Sequence, residues 1–252
     1  MRTLGIDLAA QPKGTSACLI EWSPGRAAVL ELRAGLDDEA LLELIGGADK
    51  VGIDAPFGWP DEFVEAVAAH HDRARWPGKA QDQDAYRFRL SFRVTDRRLI
   101  EETGRRPLSV STDLIALVAM RCCFLLDRLA ARGEPVDRAG SGKVVEVYPA
   151  PALGIWRLNA AGYKRQAGAA RLPGLVSELE RAVGGLELEE VERRAAESDH
   201  NCFDGLVASL VARAAGLGLT RGPHPGDEAD RAVREGWIHL PTNPLSDLLA
   251  PP

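Results

Sequence analysis

"TLGIDLAAQPKGT" (Thr3–Thr15) and "VGIDAP" (Val51–Pro56) each place an aspartate two residues after a glycine, inside an apolar, strand-like run. Side chains alternate across a strand, so Leu4, Ile6 and Leu8 point one way while Thr3, Gly5, Asp7 and Ala9 point the other. In the second run Val51 and Ile53 oppose Gly52 and Asp54. Each carboxylate therefore stands beside a position with no side chain, on an uncrowded part of a sheet. Taken singly, either Asp suits the end of a strand, where it accepts hydrogen bonds from the following turn. Aspartate is depleted within strands, so the repetition of one local design asks for a shared reason.

Working outward, "SACLIEW" (Ser16–Trp22) and "AAVLELR" (Ala27–Arg33) read as strands around the turn "SPGR". With the first run they predict an antiparallel three-strand meander. "DDEALLELIGG" (Asp37–Gly47) opens on acids and closes on two glycines, which predicts a helix before the strand "KVGIDAP". From about 56 to 142 the pattern is mainly helical, and "GKVVEVYP" restores a strand at Lys143–Tyr148. Helical material is expected over Tyr163–Val183 and in the acidic "LELEEVERRAAES", before a last strong element near Ser198. The order β-β-β-α-β, helical insertion, β and final helix is that of the ribonuclease H-like fold. The expected class is thus α/β: a mixed sheet, meander plus parallel strands, with flanking helices in a single domain over 1–252.

The final helix, "SDHNCFDGLVASLVARAAG", carries Phe203, Leu206, Val207, Leu210 and Val211 at helical spacing, with Ser198 as the expected N-cap. Asp204 lies at the border of that stripe, one turn after His200 and Asn201, and Gly205 and Ala208 permit close approach to a sheet. Asp199 equally fits a catalytic role or the helix dipole. A carboxylate on a packed border needs a partner, and no basic residue lies one turn away. Asp7, Asp54 and Asp204 together would repel one another unless a cation binds. Hard divalent ions such as Mg2+ or Mn2+ prefer carboxylate oxygen. Two of them roughly 4 Å apart activate water and stabilise a leaving oxygen in phosphodiester cleavage.

"GIDLA", "IDAPFGWP", "FRVTDRRL", "VEVYPAPALGIW", "SDHNCFDGLVASLVARA" and "EGWIHLP" run in order from residue 4 to about 241. In that set the chain resembles a bacterial and archaeal family of predicted ribonuclease H-like nucleases, domain of unknown function 429. Its last helix is distantly similar to that of Holliday-junction resolvases, where an acidic pair three residues apart precedes "AL". Here the position three before Asp204 is Asn201, and His200 stands four before, so a second metal would meet less negative charge. The resemblance implies a metal-dependent nuclease using Mg2+ or Mn2+, with Asp7, Asp54, Asp204 and Asn201 as ligands and Glu146 or His200 assisting. Glu146, opposite Val145 and Val147 on its strand, equally suits a solvent-facing role; Tyr148 shares its face and would stack on a base or pack.

Between Arg87 and Arg106 seven arginines face only Asp96, Glu101 and Glu102, with Tyr86, Phe88 and Phe92 interleaved. Such a stretch suits phosphates and unstacked bases, which makes Arg93, Arg97 and Arg98 candidate nucleic-acid contacts, with Lys164 and Arg165 as further ones. A salt-bridged helix surface fits the same pattern, and "TDRR" would then brace the insertion against the core.

The whole chain of 252 residues has a formal charge of −6, 45% apolar and 27% charged residues. That argues against a protein coating nucleic acid by bulk charge, though not against a local basic groove. Four cysteines without a CxxC pair read as reduced thiols, and the absence of a signal-like start or of a run of roughly 20 apolar residues predicts a cytoplasmic protein without a membrane partner. Two alternatives share the fold. One is a non-catalytic module binding nucleic acid or protein. The other is an actin- or sugar-kinase-like phosphotransferase, although that needs a second similar lobe.

Overall fold

Gly25, at φ 71°, turns the chain tightly between the second and third strands. The computed structural model describes residues 1–134, 136–165 and 170–251. β1 (Arg2–Asp7), β2 (Ser16–Ser23) and β3 (Arg26–Ala34) form the expected antiparallel meander. α1 (Asp38–Gly46) follows, its first turn capped by the Asp37 carboxylate, which accepts from the Ala40 N–H at 3.0 Å. β4 (Lys50–Asp54) then runs parallel to β1, with Gly5 opposite Gly52 and Asp7 opposite Asp54. The repeated tripeptide is therefore in register across two adjacent strands.

Among the described residues, four helices occupy the insertion: α2 (Asp61–His71), α3 (Gln83–Ser91), α4 (Val94–Thr103) and α5 (Ile115–Ala131). β5 (Val144–Val147) returns to the sheet parallel to β4, and α6 (Pro149–Ile155) and α7 (Leu172–Val183) follow. Of the helix expected over Tyr163–Val183, only the part from Leu172 is helical among the described residues, and residues 166–169 lie outside them.

Two expectations need correction. The start of "LELEEVERRAAES" is β6 (Leu186–Glu187), an edge strand paired with β3, and only then comes α8 (Glu190–Ser198). Nor does the fold end with α9 (His200–Gly216): β7 (Thr220–Arg221), α10 (Asp227–Glu235) and β8 (Ile238–Pro241) come after it. β8 joins β5 in parallel, giving an eight-stranded mixed sheet ordered β6-β3-β2-β1-β4-β5-β8-β7. Two-residue β6 is too short to show alternation, and β8 follows a glycine turn that isolates it from any longer pattern.

The two faces of the sheet are filled differently. Leu4, Ile6, Val51 and Ile53 pack against Leu41 and Ile45 of α1 and Leu125 of α5. On the opposite face Phe203, Leu206 and Leu210 of α9 pack with Ile20 and Trp22, and with Leu175, Val176 and Leu179 of α7. α9 is thus covered on its outer side too, and every residue from Cys202 to Ala214 is buried. The predicted amphipathic stripe is in fact a central helix, sandwiched between the sheet and α7 and α8. Full burial of each large apolar side chain contributes about 1.5–3 kcal/mol, so this helix is a principal organiser of the domain. Among the described residues, no helix is long and apolar enough to cross a membrane.

Candidate metal centre

The glycines of the two GID segments set how deep α9 lies. A Cβ on Gly5 would come within 2.0 Å of the Ser209 backbone N and 2.2 Å of the Gly205 carbonyl oxygen. One on Gly52 would come within 2.7 Å of the Ala208 carbonyl oxygen. The helix therefore rests directly on the strand backbones, and only glycine leaves room for it. Polar contacts pin the rotation: Ser209 Oγ donates to the Thr3 carbonyl at 3.0 Å, and Ser16 Oγ donates to the Asn201 carbonyl at 2.5 Å. Asp199, not Ser198, caps the helix, its Oδ1 accepting from the Asn201 N–H at 2.9 Å. The break between α8 and α9 falls at Asp199, which explains the shift by one residue.

With that docking, Asp204 meets the C-terminal ends of β1 and β4. Ligand atoms of Asp7, Asp54 and Asp204 all lie within 4.8 Å of one another. Asp204 is fully buried, whereas Asp7 and Asp54 are partly exposed on a cleft. Burial, followed by the charges of Asp54 and Asp204, pushes the Asp7 carboxyl up to about 9. Burial pushes Asp54 up to about 7, with Lys164 opposing the shift and Asp204 reinforcing it. Asp204 is raised as well, again chiefly by burial. The cluster therefore holds its protons more tightly than free carboxylates do, first because it is buried and then because its negative charges repel one another.

Two groups that the local sequence pattern does not reveal reach Asp204. The Tyr163 hydroxyl donates to Oδ1, and the Lys164 ammonium sits 2.5 Å from Oδ2. Burial would strip Lys164 of its proton, but Asp204 and Asp54 more than offset that and raise its proton affinity. Lys164 belongs in the site, yet as the partner of a carboxylate. No pattern around Asp204 could disclose this, since the two are 40 positions apart in the chain and lie together only through the fold. His200 contributes a buried Nδ1 that has no hydrogen-bond partner among the described residues, and its charge favours ionised Asp204. Asn201 is engaged through its backbone, in the contacts with Ser16 and Asp199.

The remaining candidates are drawn elsewhere. Glu146 is aligned with Ile53, so it points to the face opposite Asp54. It is buried and accepts from Arg93 at 2.7 and 2.8 Å and from the Phe57 N–H at 2.9 Å. Its oxygens are occupied, so it is neither solvent-facing nor free to act as a base or ligand. Arg93 is equally buried; besides Glu146 it binds Asp96 through Nε at 3.0 Å and the Glu235 carbonyl at 3.1 Å. It holds α4 to β5 and α10, and although it borders the cleft its guanidinium donors are taken up by Asp96, Glu146 and the Glu235 carbonyl. Arg97 donates to the Phe92 carbonyl at 3.0 Å, and Arg98 pairs with Glu102 at 2.7 Å. The arginine-rich stretch is thus largely a bracing surface.

A cleft of about 300 Å³ opens above the carboxylates. Its floor carries Asp7, Asp54 and Lys164, and its walls include Leu8, Pro107, Leu108, Val110, Ile115 and Tyr148. The donor set is three carboxylates, two of them open to the cleft, and it suits a hard divalent cation better than a soft one.

No curated protein and no solved structure matches the chain. A family model does: it covers residues 5–229, and the chain belongs to that family, described as "Protein of unknown function (DUF429)".

Proposed function

We propose that this protein is a ribonuclease H-like, metal-dependent phosphodiesterase that hydrolyses nucleic-acid phosphodiesters. The observation that carries this reading is the convergence of Asp7, Asp54 and Asp204 within 4.8 Å at the floor of a cleft. The strand order β3-β2-β1-β4-β5, with the acids at adjacent strand ends and on α9, supports the same fold assignment. Mg2+ or Mn2+ bound by these carboxylates would supply an activated water and charge stabilisation at the leaving oxygen.

The chain's own residues account for the rest. Asp7 and Asp54 release protons as a cation is taken up, which couples binding to pH. Tyr163 fixes the Asp204 carboxylate through Oδ1, leaving Oδ2 for the cation side of the site. Lys164 already neutralises part of the cluster and, released from Asp204, is placed to meet a phosphate oxygen. His200, whose charge favours ionised Asp204 and whose buried Nδ1 has no hydrogen-bond partner among the described residues, is the remaining candidate for assisting the site.

The same Lys164–Asp204 pair favours one second reading, a non-catalytic module in which the ammonium permanently replaces a metal. The test is Mn2+ binding by calorimetry together with hydrolysis of branched DNA, single strands and RNA–DNA hybrids, with Asp7→Asn as control. Saturable Mn2+ binding and cleavage, both lost in Asp7→Asn, are expected. Ca2+ should support binding without turnover, because its looser coordination does not enforce the geometry. Cleavage that survives Asp7→Asn refutes the assignment, and salt-sensitive binding without cleavage selects the module.

A further inference from the structure

We propose that the cleft is a slot for one unpaired nucleotide, so that the substrate is a nucleoside phosphoester, free or within a single strand, rather than a paired duplex. This rests on the phosphodiesterase reading and narrows it. Duplex binding is dominated by cations facing the phosphates, commonly about six to ten contacts. Here Arg93 is buried against Asp96 and Glu146, Arg98 is paired with Glu102, and Arg97 is turned to the Phe92 carbonyl. Among the described residues that line the cleft, Lys164 is the cation outside the Arg93 cluster, and it is itself paired with Asp204; exposed Arg105 reaches the Ala150 carbonyl at 3.4 Å and influences Tyr148. They suffice for one or two phosphates, not for a helical run of them.

The walls carry the second half of the argument. The cleft volume of about 300 Å³ lies at the lower end of small-ligand sites, roughly 300–1,000 Å³. Besides the charged floor and the edge of the mutually paired Arg93, Asp96 and Glu146, its lining is apolar, from Pro107, Leu108, Val110 and Ile115 of the insertion, with Tyr148 contributing an aromatic ring. Apolar and aromatic walls above a phosphate-directed floor match a base taken out of its stack, whose face is apolar and whose phosphate is anionic. Leu108 is 59% exposed, so the wall extends to the rim, where an incoming base first meets it. In the reaction the oxygen of water bonds to phosphorus as the bond from phosphorus to the leaving oxygen breaks. One proton of water remains on the new phosphate or passes to solvent, and the leaving oxygen takes up a proton.

The experiment uses the full chain with Mn2+ and compares thymidine 5′-(4-nitrophenyl phosphate) with methyl 4-nitrophenyl phosphate. Linear and circular single strands and the corresponding duplex are assayed in parallel. The nucleoside ester should show a KM about tenfold or more below that of the methyl ester, as expected for one base held by stacking. Single strands should be cut faster than duplex, with cutting of the circle separating an internal nucleotide from a strand end. Tyr148→Ala and Leu108→Asp should each raise KM for the nucleoside ester about tenfold with a smaller change in kcat. Leu108 is exposed, so its variant retains the fold even where Tyr148→Ala does not. Equal KM values for the two esters, or a preference for duplex, overturns the slot while the phosphodiesterase reading stands. If neither ester nor any strand is hydrolysed the phosphodiesterase reading fails, and calorimetry with thymidine 5′-monophosphate and Ca2+ then decides the slot: binding weakened by Leu108→Asp supports it, and no binding overturns it.

Discussion

Two clusters of buried charge lie on opposite faces of the same sheet, and they are finished in opposite ways. Around Arg93 every carboxylate oxygen has a donor: Asp96 accepts on both oxygens from Arg93, and Glu146 from Arg93 and the Phe57 N–H. Glu235 accepts from the Asp61 N–H at 2.9 Å and the Val94 N–H at 2.6 Å. Around Asp204 the accounting stays open. Tyr163 and Lys164 serve that one residue, while no hydrogen bond among the described residues reaches the carboxylates of Asp7 or Asp54. Burial of charge is costly unless hydrogen bonds and counter-charge complete it. Both clusters border the cleft, so their completion separates them: the closed one is a structural tie, and the open one is a place for a ligand. The difference also corrects the residue assignments, since the sequence pattern alone offers Glu146 and Arg93 as site residues.

The sharpest way to break this contrast is to remove the central cation of the closed cluster. Arg93→Met leaves Asp96 and Glu146 buried without their partner and should cost about 3–5 kcal/mol in denaturant unfolding. A loss below about 1 kcal/mol would mean the cluster is not the tie described. Next is Gly5→Ala. The added methyl meets helix backbone rather than a flexible side chain, so overpacking should cost about 1–3 kcal/mol or more. It should also weaken Mn2+ binding, because α9 is lifted from β1 and carries Asp204 with it. Unchanged Mn2+ affinity in a folded Gly5→Ala protein would detach the glycine from the site.

A smaller effect separates the clusters by pH. The folded chain keeps protons on Asp7 and Asp54 that the unfolded chain releases above about pH 4. Their stabilising contribution is full below that pH and is lost as pH rises through about 7 and then about 9. Metal-free protein should therefore lose Tm over that window, and the gain in Tm from Mn2+ should grow with pH as fewer protons compete. A Mn2+ gain that shrinks as pH rises would contradict this. The smallest expected effect is Arg98→Ala, on a partly exposed pair with Glu102, at about 0–1 kcal/mol in the same unfolding assay.

What the sequence shows and what it hides follows from the range of the interactions. The meander, α1 and β4 are legible because alternation, the "SPGR" turn and the Asp37 cap act within a few residues. Asp7 and Asp54 stand out because a glycine accompanies each, and the structure supplies the reason in the backbone of α9. Asp204 stands out as an acid among apolar neighbours. Lys164 and Tyr163 carry no local mark of their role, since only the chain's return after α6 brings them to Asp204. Arg93 misleads for a similar reason. Its partner Glu146 lies 53 residues away, so the exposed-looking run "FRVTDRR" conceals a buried residue.

The most direct test of the open cluster is a thermal melt of Asp54→Asn beside the parent, each with and without Mn2+. Removing one carboxylate relieves burial and repulsion, so the metal-free variant should melt at the parent's temperature or above it. The parent's stabilisation by Mn2+ should be abolished in the variant, as ligand linkage requires when the site is lost. A variant that melts well below the metal-free parent, or that gains as much from Mn2+ as the parent does, would contradict the account.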